Sequence, residues 1–252
     1  SYAGGDGFDA FYADLSAESY NVNWVNDGSE KTLVSQGNTF TVSGVERLLL
    51  QTGSGNDFID NTANNSGDDI RTGAGDDVIR VGDGSDNIDA GNGNNIVYAG
   101  AGYNTVKTGT GSDRIDLTGG VVDAGAGDDQ IAFHFISSGW HAVNGGEGDD
   151  SLSLDVYSSN RISLGDASGV FFVDLFMDTG LDVIKNGLAQ AGAYQYVYDY
   201  WNNGGGITVS NVEHLKVNVI GSNNHDLLIY QNGVSYAGGD GFDAFYADLS
   251  AE

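Results

Sequence analysis

The sequence contains no cysteine and no proline, and only nine of its 252 residues are lysine or arginine. Each shortage removes a class of explanation. Without cysteine there is no disulfide staple and no thiolate-ligated zinc. Without proline, the 40 glycines cannot signify a collagen helix or a proline-rich spacer. No apolar run approaches the roughly 20 residues that a membrane-crossing helix needs. No charged-then-apolar start marks a signal peptide, so any export address is expected outside this stretch.

The shortage of basic residues has the widest consequence. Set against 36 Asp and Glu, it leaves a formal net charge of -27. Such a chain is repelled by nucleic acid and by anionic lipid, so neither nucleic-acid binding nor membrane insertion is expected. Acidic chains are often disordered, but disorder also requires low hydrophobicity. With 40% apolar residues, a core can form. The carboxylates therefore need another role, and bound cations are the first candidate. The glycines read as tight turns, which need backbone angles that glycine adopts at little steric cost.

Residues 1–18, SYAGGDGFDAFYADLSAE, recur letter for letter at 235–252, an offset of 234 residues. The natural reading is a tandem array of which this chain holds one period and the opening of the next. A weaker repeat lies inside the period. Thr41-Val-Ser-Gly-Val-Glu-Arg-Leu leads into Gly53-Ser-Gly-Asn-Asp57, and Thr208-Val-Ser-Asn-Val-Glu-His-Leu leads into Gly221-Ser-Asn-Asn-His-Asp226. The expected organisation is a first module at 1–60, a central block at 61–144 and a related module at 145–234. An aromatic-rich insertion is expected at about 154–210, with 235–252 beginning the next repeat.

The central block contains five consecutive nine-residue units at 72–116: TGAGDDVIR, VGDGSDNID, AGNGNNIVY, AGAGYNTVK and TGTGSDRID. TGSGNDFID (52–60) and a degenerate ANNSGDDIR (63–71) precede them; a shortened LTGGVVD (117–123) and AGAGDDQIA (124–132) follow. Glycines at positions two and four permit a turn and close approach of carbonyls to an ion. The residue at position six is Asp or Asn, and a carboxylate supplies the hard oxygen that Ca²⁺ prefers. Position eight is Ile59, Ile70, Ile79, Ile88, Val97, Val106, Ile115 and Ile131. Mostly polar residues flank it, so each unit reads as a turn plus a short strand with one buried face. No unit can bury its apolar residue alone, and the units must stack.

This pattern resembles the RTX (repeats-in-toxin) nonapeptide G-G-x-G-x-D-x-U-x, with U a large apolar residue. The resemblance covers about half the chain and is most like the tandem region of a giant adhesin or extracellular fibre. It implies an all-β fold, a calcium-binding parallel β-roll or β-solenoid with a β-rich insertion, secreted to the cell surface and exported by type I secretion. It also implies several Ca²⁺ ions between successive coils, bound by position-six side chains and turn carbonyls. Carried over, one column holds Asp57, Asp77, Asn95, Asp113 and Asp129 and the other Asp68, Asp86 and Asn104. The outer modules add Asp9, Asp150, Asp226 and Asp243, and the carbonyls lie near Gly73, Gly75, Gly82, Gly84, Gly91, Gly93, Gly100, Gly102, Gly109 and Gly111. Asn95 and Asn104 depart from the pattern, since an amide oxygen brings no charge. The shortened unit has no acid at position six, so the second column is expected to stop there.

His134, His141, His214 and His225 follow no paired-ligand spacing and read as ordinary surface or turn residues. No nucleophile elbow or phosphate loop is present, and the conspicuous carboxylates are committed to the repeat; no enzyme activity is expected. Tyr194, Tyr196, Tyr198 and Tyr200 alternate on a predicted strand ending at Trp201, near Val170–Met177, and Leu181–Gly192 is the one predicted helix. Those aromatics either fill the insertion's own core or form an exposed ladder that grips polysaccharide. The expected function is a calcium-dependent structural unit whose partners are its neighbouring repeats, docked end to end. A polysaccharide-binding adhesin module, lateral association with other fibres, and the accessory tail of a secreted enzyme or toxin are the alternatives.

Overall fold

The computed structural model describes residues 1–26, 31–135, 140–157, 161–166, 169–174, 196–199, 205–220, 227–229, 234–237 and 244–246, and in them the chain is all-β. It opens with β1 (Tyr2–Ala3) and β2 (Ala10–Asp14). A meander follows, β3 (Val22–Asn26), β4 (Lys31–Ser35) and β5 (Asn38–Ser43), and then β6 (Arg47–Gln51). The regular part comprises β7 (Phe58–Asn61), β8 (Asp69–Arg71), β9 (Val78–Val81), β10 (Asn87–Gly91), β11 (Ile96–Tyr98), β12 (Asn104–Thr108), β13 (Arg114–Leu117), β14 (Gly120–Asp123), β15 (Gln130–Phe135) and β16 (Trp140–Asn144). The chain continues through β17 (Ser151–Tyr157), β18 (Arg161–Asp166), β19 (Gly169–Asp174), β20 (Tyr196–Asp199), β21 (Gly205–Ser210) and β22 (His214–Ile220). The last three strands are β23 (Leu227–Ile229), β24 (Val234–Ala237) and β25 (Ala244–Tyr246).

From β7 to β16 the strands alternate between two sheets, odd-numbered in one and even-numbered in the other, and every neighbouring pair is parallel. This is a parallel β-solenoid of about five turns. Two nonapeptides make one turn, so Ile79 meets Val97 and Val97 meets Ile115. Both sheets run through residues 60 and 144 without a break.

Strand periodicity explains the core. Positions six, eight and the first residue of the next unit point to one face, and seven and nine to the other. The position-eight column from Ile59 to Ile131 is buried throughout. Position one is buried too, with Thr72, Val81, Ala90, Ala99, Thr108, Leu117 and Ala124. Burying each isoleucine or valine contributes about 1.5–3 kcal/mol. At one end of the stack Trp24 joins this core, stacked on Phe11 at 5.5 Å between ring centres, with its indole N–H donated to Asn61 at 3.2 Å.

Turns stack as closely as strands. Gly93 has φ of 130°, and a Cβ there would lie 2.0 Å from the Gly75 carbonyl oxygen of the turn one coil earlier. Gly93→Ala should therefore cost about 3 kcal/mol or more, from backbone strain and forced separation of two turns. Urea unfolding in saturating calcium measures it; a loss below about 1 kcal/mol would contradict this packing.

Two departures from the regular coil occupy corresponding places. The meander β3–β4–β5 widens the first sheet between β7 and β1. The strands β20, β18 and β19 extend the other sheet beyond β21 by antiparallel pairing. The two Thr-Val-Ser-x-Val-Glu segments bridge equivalent joints, β5 to β6 and β21 to β22. The predicted helix at Leu181–Gly192, and Tyr194, Tyr200 and Trp201, lie outside the described residues; Tyr196 and Tyr198 belong to β20.

Candidate metal centre

The position-six residue shares a face with the position-eight residue, so its side chain enters the stack. Asp57, Asp68, Asp77, Asp86, Asn95, Asn104, Asp113, Asp129 and Asp150 are all buried. Each receives a backbone amide from the turn before. The Asp57 N–H donates to Asp77 at 2.8 Å, Asp77 to Asn95 at 3.1 Å, Asn95 to Asp113 at 2.7 Å, Asp113 to Asp129 at 2.8 Å and Asp129 to Asp150 at 2.9 Å. In the second column Leu48 donates to Asp68, Asp68 to Asp86 and Asp86 to Asn104, at 2.7–3.0 Å.

These bonds use one oxygen of each carboxylate, and the second oxygen sorts the candidates into three groups. In Asp9, Asp77, Asp86, Asp113, Asp129 and Asp150, Oδ2 is buried without a hydrogen-bond partner. In Asp57 it accepts the Thr52 hydroxyl, and in Asp68 it accepts the Asn61 amide at 2.6 Å. At the two asparagines an amide nitrogen stands in its place. Asn95 Nδ2 donates to the carbonyls of Gly91 at 3.3 Å and Gly93 at 3.1 Å; Asn104 Nδ2 donates to Ala99 at 2.8 Å and Gly100 at 3.5 Å. The asparagines thus neutralise turn carbonyls with their own N–H groups. Among the other candidate carbonyls, those of Gly73 and Gly109 accept amides from the following turn. Asp226 and Asp243 lie outside the described residues.

An orphaned buried carboxylate oxygen is costly. Burial pushes Asp77, Asp86 and Asp129 up to about 7, with neighbouring carboxylates adding to the rise. Burial likewise raises Asp57, Asp113 and Asp150. Such a group needs a proton or a cation. No group of three or more His, Cys, Asp or Glu that could hold a metal occurs among the described residues. The donors beside each turn, one or two carboxylates and backbone carbonyls, are hard oxygens of the kind that Ca²⁺ takes and not the nitrogen or sulfur that softer metals select.

No known family model matches this chain, and no curated protein matches it. The likeness to RTX repeats rests on the nonapeptide and on the solenoid.

Three residues extend the columns with other chemistry. Glu213 accepts the Asp150 N–H at 2.9 Å, and Glu46 accepts that of Asp9 at 2.9 Å, so the two related segments close equivalent joints alike. His141 corrects the expectation of an ordinary surface or turn residue. It is buried, and its Nδ1 accepts the Gly120 N–H at 2.8 Å. It stands one strand beyond Gly120 in the second column's register, so the acceptor role continues past the shortened unit. A coil lengthened to 21 residues carries it there, and no nonapeptide count reveals it. His134 bridges Asp155 at 2.8 Å and Asp116 at 3.5 Å, His214 pairs with Asp149 at 2.8 Å on the surface, and His225 lies outside the described residues.

Proposed function

We propose that the chain is a calcium-dependent structural unit of a secreted extracellular filament, stalk or giant adhesin of the RTX type, without catalytic activity. The observation that carries this reading is the set of six buried Asp oxygens without partners, at equivalent places beside glycine turns. Where free Ca²⁺ is scarce, as inside a cell, repulsion along the columns keeps the acidic chain open. Outside, Asp77, Asp86, Asp113 and Asp129 would hold Ca²⁺ together with turn carbonyls, and binding energy becomes folding energy. The cation supplies the positive charge that the low-dielectric interior lacks.

A calcium titration followed by far-ultraviolet circular dichroism at neutral pH tests it. The β signal should rise cooperatively, with a midpoint at roughly millimolar Ca²⁺, as for extracellular modules. An identical folded spectrum in excess chelator and in calcium would refute the reading.

A further inference from the structure

The eighteen residues that occur twice offer different edges to their neighbours in the two copies. In the first copy, β1 ends one sheet and pairs with β5 (Tyr2 with Val42), and β2 ends the other and pairs with β6 (Phe11 with Leu48). In the second copy the same residues lie in β24 and β25. There β24 ends the first sheet from the opposite side and pairs with β22 (Tyr236 with Val219), while β25 pairs with β23 (Phe245 with Leu228). All four pairings are parallel. One sequence thus has a downstream partner for each strand in one copy and an upstream partner in the other.

The hydrogen bonds are compatible with both being made at once. Successive amides of a strand point to opposite edges. Leu15 N–H donates to Gln51 and Arg47 N–H donates to the Asp9 carbonyl, so the odd-numbered residues of β2 serve β6. The amides of Ala10 and Tyr12 face the open edge, and their counterparts Ala244 and Tyr246 stand on β25 beside β23. The open end is also apolar. Of the five large hydrophobic side chains exposed among the described residues, Tyr2, Phe8, Tyr12 and Phe40 belong to these first coils. An open groove of about 340 Å³ runs between Tyr2, Phe11, Tyr12 and Phe40.

We infer that the first copy's open edges receive β22 and β23 of a preceding repeat, making the eighteen residues a single coil shared by two units. The first sheet then crosses the junction from β22 to β5, and β23, which with β25 forms a two-stranded sheet of its own, extends the next unit's second sheet through β2, with no linker. An unpaired parallel edge beside exposed aromatics is covered by the same pairing that the second copy already makes. This rests on the tandem-repeat reading and is independent of which cation fills the columns.

Amide hydrogen exchange read by nuclear magnetic resonance tests it on the 252-residue chain and on a chain lengthened by one 234-residue unit, both in saturating calcium. In the shorter chain the two copies should be mirror images. Phe11 is protected and Tyr12 exchanges freely, while Tyr246 is protected and Phe245 exchanges freely. In the longer chain the junction copy should protect both parities, slowing the formerly free amides at least about 100-fold. One-sided protection at the junction would overturn the inference and leave units hanging as separate beads. Two-sided protection that persists in chelator would uphold the shared coil while refuting the calcium requirement.

Discussion

Acidified from pH 7.5 to pH 4.5 in the presence of chelator, the protein should gain the folded structure that it lacks at neutral pH without calcium. Asp77, Asp86 and Asp129 ordinarily titrate at 3.8, and burial raises them to about 7. Between those values the folded chain keeps protons that the unfolded chain has released. Stability therefore falls as pH rises through that window, the reverse of a protein held by carboxylate salt bridges. Each retained proton contributes at most a few kcal/mol, so three of them make the effect large beside the stability of a domain. On the proposed function Ca²⁺ takes the place of the protons, so in saturating calcium the dependence should flatten. The far-ultraviolet β signal across this range, with and without chelator, gives the comparison. An equal signal at both pH values in chelator would show that these carboxyls are not buried as the columns require.

The second large effect separates Asp77 from Asn95, adjacent members of one column. Asp77→Ala removes the acceptor for the buried Asp57 N–H, at about 1–3 kcal/mol. It also removes a ligand shared by two proposed sites, and losing one ion forfeits about 2.7 kcal/mol at a hundredfold excess over Kd. The loss should reach about 4–5 kcal/mol in saturating calcium and shrink as calcium is lowered toward the folding midpoint. Asn95→Ala removes hydrogen bonds to Asp77, Gly91 and Gly93 but no charge. Its cost should be the same at every calcium concentration that folds the chain. Asn95→Asp is the inverse experiment: one additional ion by calorimetry, and a steeper dependence of stability on calcium. Unchanged ion stoichiometry in Asn95→Asp, with equal calcium midpoints for the two alanine variants, would remove the asparagines' special place.

The comparison of Asp77 with Asn95 also shows what could be read in advance. Both columns could be written from the nonapeptide count, because each full unit adds nine residues and keeps register. The buried ladder from Ile59 to Ile131 followed from alternation alone. The inward direction of Asp77 follows from the same parity, since six and eight differ by two, but acidity suggests solvent and hides it. Three-dimensional contact was needed for the rest. Thr52 and Asn61 satisfy Asp57 and Asp68 from within their own coil. Glu46, Glu213 and His141 act where the nonapeptide is interrupted; the Thr-Val-Ser-x-Val-Glu repeat contains the two glutamates without revealing their role, and no motif marks His141.

The stacking direction has a mechanical consequence. A regular coil of 18 residues, the spacing between Asp77 and Asn95, adds about 4.8 Å to the stack, yet holds about 60 Å of extended chain. Pulling along the stack loads the inter-coil hydrogen bonds in tension, in series, so they yield one coil at a time rather than shearing together. A terminal coil that opens lengthens the strand more than tenfold over its folded contribution and leaves its neighbour intact. It closes again on the template of that neighbour. Under load, such a stack dissipates work coil by coil and recovers its rest length when the tension falls.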